Sequence, residues 1–218
     1  MTQEIKHHLN DALLMAYAAG TLPEAFSLVV ATHVSMCDEC RARLEAFDAV
    51  GGVMLDRCER VEMAPDALAA AMARIASGAG APVASVPPRR VTGDVPAPLQ
   101  DYIGGDLDAV RWRPVGMGVR QMILPTSPEA RVRLLHIPAG AAVPDHGHKG
   151  LELTLVLKGA FVDEGMRFAR GDIEIATEDT HHTPIADIGE DCICLAATDA
   201  PLRFKGLLPR IAQPFVRI

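Results

Sequence analysis

Residues 140 to 159 read Gly140-Ala-Ala-Val-Pro-Asp-His146-Gly-His148-Lys-Gly-Leu-Glu152-Leu-Thr-Leu-Val-Leu-Lys-Gly159. His146 and His148 are two apart, so in an extended segment both side chains point to the same face. Glu152 follows the Lys149-Gly150 turn and heads an apolar strand, where a carboxylate is costly unless it is paired or metal-bound. Farther on, His181-His182-Thr-Pro184 follows a β-prone run and offers a fourth ligand. Alone, the His146/His148 pair also fits a hydrated surface; with Glu152 and His182 added, the set reads as a metal site within a strand-rich fold.

Outward from this stretch, the second half of the chain is a series of short β-prone runs. They are Val119–Leu124, Arg131–Ile137, Leu151–Leu157, Asp172–Ile175 and Cys192–Ala196, separated by turn signals such as Pro138-Ala-Gly140, Gly159 and Arg170-Gly171. Many short strands at close spacing predict an all-β sandwich or jelly-roll barrel. The first half reads differently. Asn10 predicts a helix cap, with Gly20 as the stop. Thr21-Leu-Pro23-Glu24 has the pattern of a capping box opening a second helix. A third helix is expected from Asp38 to Val50, ending at Gly51-Gly52, and a fourth after Pro65-Asp66. In the fourth, Leu68, Met72 and Ile75 recur at helical spacing, either as an internal core face or as a face turned to a partner. Between the halves, the Gly- and Pro-rich run through 77–98 reads as a linker. The expected division is a helical domain over 1–76, a linker over 77–98 and a β domain over 99–218.

The helical half carries a second ligand pattern, His33-Val-Ser-Met-Cys37-Asp-Glu-Cys40. On a helix, His33 and Cys37 lie one turn apart on one face, and Cys40 returns toward the same point. One imidazole and two thiolates suit Zn²⁺, which takes a fourth ligand. His7 and His8, just ahead of the first helix, are both available for it. The competing reading is a redox dithiol with an incidental histidine.

Bulk properties narrow the function classes. The 218 residues are 49% hydrophobic, enough for a substantial core, yet no run approaches the ~18 apolar residues of a membrane helix. No secretory signal pattern precedes the first helix, so the chain is expected to be soluble and cytoplasmic, where thiols stay reduced. A net charge of −7 argues against direct nucleic-acid binding, because phosphate contacts need clustered Lys and Arg. Residues 1–76 hold six Lys/Arg against eleven Asp/Glu and so carry −5 of that charge. An acidic helical module suits a basic partner, for which complementary charge raises association rate and selectivity.

Gly140-x5-His146-x-His148-x3-Glu152-x6-Gly159 resembles the first motif of the cupin superfamily spacing for spacing. The second cupin motif is matched in part, through Gly171 and His182. The upstream His with His33-x3-Cys37-x2-Cys40 resembles the zinc-binding anti-sigma domain. Both halves in this order resemble the ChrR family of cupin-containing anti-sigma factors. That resemblance implies a protein that clasps an extracytoplasmic-function (group IV) sigma factor and keeps it from RNA polymerase. It also implies release of the sigma factor when the cupin domain receives a signal such as singlet oxygen. Carried over position by position, it implies two Zn²⁺ per chain, one on His8, His33, Cys37 and Cys40 and one on His146, His148, Glu152 and His182. His7 and His181 are the neighbouring alternatives, and Leu68, Met72 and Ile75 are the expected partner-binding face.

A cupin-type dioxygenase or isomerase is the alternative, since three His and one Glu also hold catalytic metals. Against it, no additional acid–base residue is evident beside the metal motif, and a catalytic cupin needs no second metal module. Cys192 and Cys194 share one face of a strand, as packing residues or as a redox pair. Cys58 has no evident role, and Trp112 is expected in a strand core or at its edge.

Overall fold

Asn10 opens the first helix, its side-chain oxygen accepting from the Leu13 amide. A computed structural model of the chain describes residues 4–78, 93, 95–201 and 203–204. Helix α1 spans Asp11–Ala18, and Gly20, at φ +66°, turns the chain out of it. The expected capping box does not form. The Thr21 hydroxyl donates back to the Ala16 carbonyl, and α2 (Glu24–Met36) begins on Pro23 without a side-chain cap. Glu24 instead accepts from the Tyr102 hydroxyl and the Ser127 amide, tying the start of α2 to the second half.

Cys37 ends α2 and starts α3, whose range is Asp38–Asp56. The stop expected at Gly51-Gly52 is overturned: the helix runs through both glycines. A glycine stop requires a left-handed residue, and neither glycine adopts positive φ. Inside a helix each costs only about 1 kcal/mol relative to Ala, which weakens the helix without ending it. Helix α4 follows Pro65-Asp66 as expected, over Ala67–Ala76. Residues 79–92 and 94 of the expected linker lie outside the described residues. Its last residues, Pro96 and Ala97-Pro98, cap and begin α5 (Ala97–Ile103), which packs on α2.

The rest is strand. A six-stranded antiparallel sheet contains β1 (Arg113–Gly116), β2 (Val119–Ile123), β3 (Arg131–Ile137), β5 (Glu152–Lys158), β8 (Ile173–Ala176) and β11 (Cys192–Thr198). Its order is β1-β2-β3-β11-β5-β8. Facing it are two small sheets. One orders β10 (Ile185–Ala186), β6 (Ala160–Asp163) and β7 (Met166–Ala169); the other orders β12 (Arg203–Phe204), β4 (His146–Gly147) and β9 (His181–His182). Helices followed by a jelly-roll β half is the expected fold class.

Strand alternation sorts the sheet into two cores. On β11, Cys192 and Cys194 face the barrel interior with Val119, Val156 and Phe161, while Ile193, Leu195 and Ala197 face the opposite way. On β5, Leu153, Leu155 and Leu157 also face that way. There they meet α2, whose Phe26, Val29 and Val30 belong to the same continuous core. The helical half and the strand half therefore share one hydrophobic interior. Truncating Phe26 to Ala there would cost about 3–5 kcal/mol.

Candidate metal centres

The cupin cluster is built by pairing two short strands. In the β4–β9 ladder His146 lies directly opposite His182, so both rings project to one side. His148 follows two residues after His146, and Glu152 enters from the first position of β5. His148 Nε2 is 3.0 Å and His146 Nε2 is 3.1 Å from His182 Nε2. One ligand atom from each of His146, His148, Glu152 and His182 lies within 4.8 Å of every other. Imidazole nitrogens facing one another so closely repel unless a proton or cation lies between them. Tetrahedral zinc, with bonds of about 2.0–2.1 Å to nitrogen, holds such nitrogens about 3.3 Å apart.

The outward ring nitrogens orient the ligands. His146 Nδ1–H donates to the Pro144 carbonyl at 2.8 Å, and His182 Nδ1–H donates to Asp163 Oδ2 at 2.8 Å. In each ring this turns Nε2 inward. Glu174, on β8, lies 3.7 Å from the same His182 nitrogen. Asp163 and Glu174 are buried and were missed in the sequence, so the expectation that no further acid–base residue lies by the motif is overturned. Glu174 had a usable signal, a carboxylate on the apolar strand Asp172-Ile-Glu-Ile, the same anomaly that marked Glu152. Asp163 had none, lying in an ordinary Asp-Glu-Gly hairpin turn.

Electrostatics prepare the cluster for a cation. Burial lowers His146 and His148 to about 4, so both are neutral ligands at neutral pH. Burial raises Glu152 to about 7, although His182 and Arg133 pull the other way. Burial would also lower His182, but Glu174 and Asp163 outweigh it and hold it at about 9. Without a metal, a proton on His182 balances the surrounding carboxylates. His181 is exposed, with its ring against Gly147, and takes no part in the cluster.

The N-terminal cluster brings together His8, His33, Cys37 and Cys40, again with one ligand atom of each within 4.8 Å of the others. His8 Nδ1 stands 3.3 Å from Cys37 Sγ and 3.8 Å from Cys40 Sγ. Cys37 Sγ also accepts from the Cys40 amide at 3.4 Å, because Cys37 is the N-cap of α3. His33 is fully buried. Its Nδ1 is bonded to the Gly171 carbonyl at 2.9 Å, and its Nε2 has no hydrogen-bond partner among the described residues. A buried imidazole nitrogen left without a partner among the described residues, beside two free thiols, is a donor set that fits a metal ion. Burial lowers His33 to about 4 and raises Cys40 to about 11. His7 faces away, its ring against Phe168 and its Nδ1 3.5 Å from Asp172.

Leu68, Met72 and Ile75 lie on α4, which buries none of its residues. They are 75%, 58% and 74% exposed. The last turns of α3 expose Val50, Val53, Met54 and Leu55 as well. Among the described residues nothing covers this apolar surface, so the internal-core reading of α4 fails. Cys192 and Cys194 lie in the barrel interior with sulfurs 3.4 Å apart. Cys58 is exposed. Trp112 is half-buried just before β1, edge-on to His136.

The profile of the ChrR cupin-like domain matches residues 100–201. The anti-sigma-E factor ChrR of Cereibacter sphaeroides is 61% identical over 214 residues, covering 98% of this chain and 99% of that one. The crystal structure of Rhodobacter sphaeroides SigE in complex with the anti-sigma ChrR matches with a TM-score of 0.78. It is 58% identical and covers 90% of this chain and all of the matched one.

Proposed function

This chain belongs to the ChrR family of anti-sigma factors, and we propose that it sequesters a group IV sigma factor and releases it in response to reactive oxygen such as singlet oxygen. The observation that carries the reading is 61% identity to an anti-sigma factor along nearly the whole of both chains, helical and cupin halves alike. Residues 1–76 bind the sigma factor through Leu68, Met72 and Ile75 on α4, a face left bare in the free chain. Residues 99–218 receive the signal, and 77–98 connect the two. Because the partner acts on RNA polymerase, the protein works in the cytoplasm.

Each half holds one Zn²⁺. Two thiolates and two imidazoles at the junction of α2 and α3 are a soft, four-ligand set suited to a structural zinc. His8 binds from the N-terminal segment, His33 from α2, and Cys37 and Cys40 from the α2–α3 hinge, so the ion pins three segments together. In the cupin half, His146, His148, Glu152 and His182 hold the second ion, joining β4, β5 and β9.

The same cupin ligands serve enzymes elsewhere. Here Asp163 and Glu174 lie at Nδ1 of His182, away from the inward Nε2, and so hold a ligand in place instead of reaching a substrate. The test is sigma-dependent transcription in cells with and without an oxidant. A His146→Ala/Glu152→Ala double variant should repress as wild type does and respond weakly. Full induction in that variant would remove the cupin metal from the signal path.

A further inference from the structure

We propose that the Gly171–Asp172 turn of the cupin half is a clamp that positions two ligands of the N-terminal metal, His33 and His8. The inference deepens the zinc reading above and rests on it. The turn joins β7 to β8, and three sets of contacts reach from it into the helical half.

First, the Gly171 carbonyl accepts from His33 Nδ1–H at 2.9 Å across 138 residues of sequence. A ring bonded at Nδ1 has Nε2 as its remaining ligand atom, and Nε2 is the buried atom without a hydrogen-bond partner among the described residues. A metal-bound histidine characteristically donates its other N–H to a carboxylate or carbonyl, which fixes its tautomer and its orientation. For His33 the carbonyl comes from the cupin half.

Second, Asp172 holds the segment leading into His8. Its Oδ1 accepts from the Lys6 amide at 2.6 Å and the His7 amide at 2.9 Å, and its Oδ2 accepts from the Ala169 amide at 2.9 Å. The Ile173 amide donates to the His7 carbonyl at 3.2 Å, extending the hold to the peptide immediately before His8. Asp172 is 2% exposed, so the accepting end of these bonds is buried.

Third, the backbone of the turn favours glycine at 171, and the Ile5 side chain packs directly on it. Gly171 sits at φ +91°, and a Cβ there would come within 2.6 Å of Ile5. A side chain there would strain the turn and displace the Ile5 side chain that covers it. Two residues past Asp172, Glu174 stands 3.7 Å from His182 of the cupin cluster. The clamp therefore lies at the start of the strand that also backs the other metal centre.

The experiment uses the full chain, loaded with Zn²⁺ or Co²⁺ and challenged with a metal chelator. Thiolate-to-cobalt absorption reports the Cys37/Cys40 site separately from the all-His/Glu cupin site. Asp172→Ala should lower affinity at the thiolate site by about 10–100-fold, the usual effect of losing an outer-shell partner, and leave cupin occupancy unchanged. Asp172→Asn keeps an acceptor for the Lys6 and His7 amides, although its NH2 then faces the Ala169 amide, and should restore part of that loss. Unchanged affinity in Asp172→Ala, or equal loss at both sites, would overturn the clamp while leaving the zinc reading intact. A wild-type chain that takes up no metal at Cys37/Cys40 would overturn the zinc reading and the clamp with it. If Asp172→Ala does not fold, nitrogen NMR of His33 in the zinc-loaded wild type decides instead. Nδ1 protonated and Nε2 metal-bound is the expected tautomer, and the reverse would overturn the proposal.

Discussion

Replacing Leu68, Met72 and Ile75 together with Ser tests the division of labour most directly, because exposure fixes both halves of the outcome. All three are more than half exposed and α4 buries nothing, so the free chain should lose little stability. Surface changes of this kind stay within about 0.5 kcal/mol each. In a complex that covers α4, the same residues lose their remaining exposed area. Complete burial of a Leu, Ile or Met side chain stabilises by about 1.5–3 kcal/mol. Scaled by the exposed fractions of 75%, 58% and 74%, the three contribute about 3–6 kcal/mol in all. That weakens sigma binding by about 10²–10⁴-fold, at 1.4 kcal/mol per decade. The assay pairs titration calorimetry against the purified sigma factor with a thermal melt of the free variant and a zinc determination. Unchanged affinity would show that the partner binds elsewhere. A large drop in Tm with loss of zinc would show that α4 supports the fold instead.

Three further outcomes follow from the metal centres. Reduced, metal-replete protein should hold two Zn²⁺ per chain by elemental analysis, and Cys37→Ala/Cys40→Ala should remove one and leave the other; a single equivalent in the wild type would refute the two-site reading. Asp163→Ala leaves His182 Nδ1–H without its 2.8 Å acceptor, so cupin-site affinity in a chelator competition should fall about 10–100-fold, and a value matching wild type would show that Asp163 does not orient the ligand. Because Cys40 is raised to about 11 and His182 to about 9, each carries a proton at neutral pH that an incoming metal must expel. Affinity at both sites should therefore rise with pH, by up to about tenfold per unit for each proton displaced, and a flat profile between about pH 6 and 8 would contradict the assignment. His33, lowered to about 4, adds no proton to that slope.

Local spacing made the two ligand sets legible. His146, His148 and Glu152 are carried by consecutive strand geometry, and His33, Cys37 and Cys40 by one helical turn and the hinge after it, so the chain's own periodicity aims them. The same periodicity identified α4 as amphipathic without saying what it faced; that the helix buries none of its residues excludes an internal core face. Choices between adjacent residues were not legible, because they depend on which face a pairing partner imposes. His182 is selected over His181 by its register opposite His146 on β4. His8 is selected over His7 because Asp172 and Phe168 hold the His7 ring on the other side.

Composition and pattern alone determined a helical half, a jelly-roll half and two metal-ligand clusters, since each rests on neighbours close in sequence. Only the tertiary structure decided that α2 lies on the outer face of the sheet. It also decided that Asp163 and Glu174 back His182, and that the Gly171 carbonyl holds His33. Contacts between distant segments depend on how whole surfaces pack, and a backbone carbonyl, which every residue possesses, leaves no mark in a sequence.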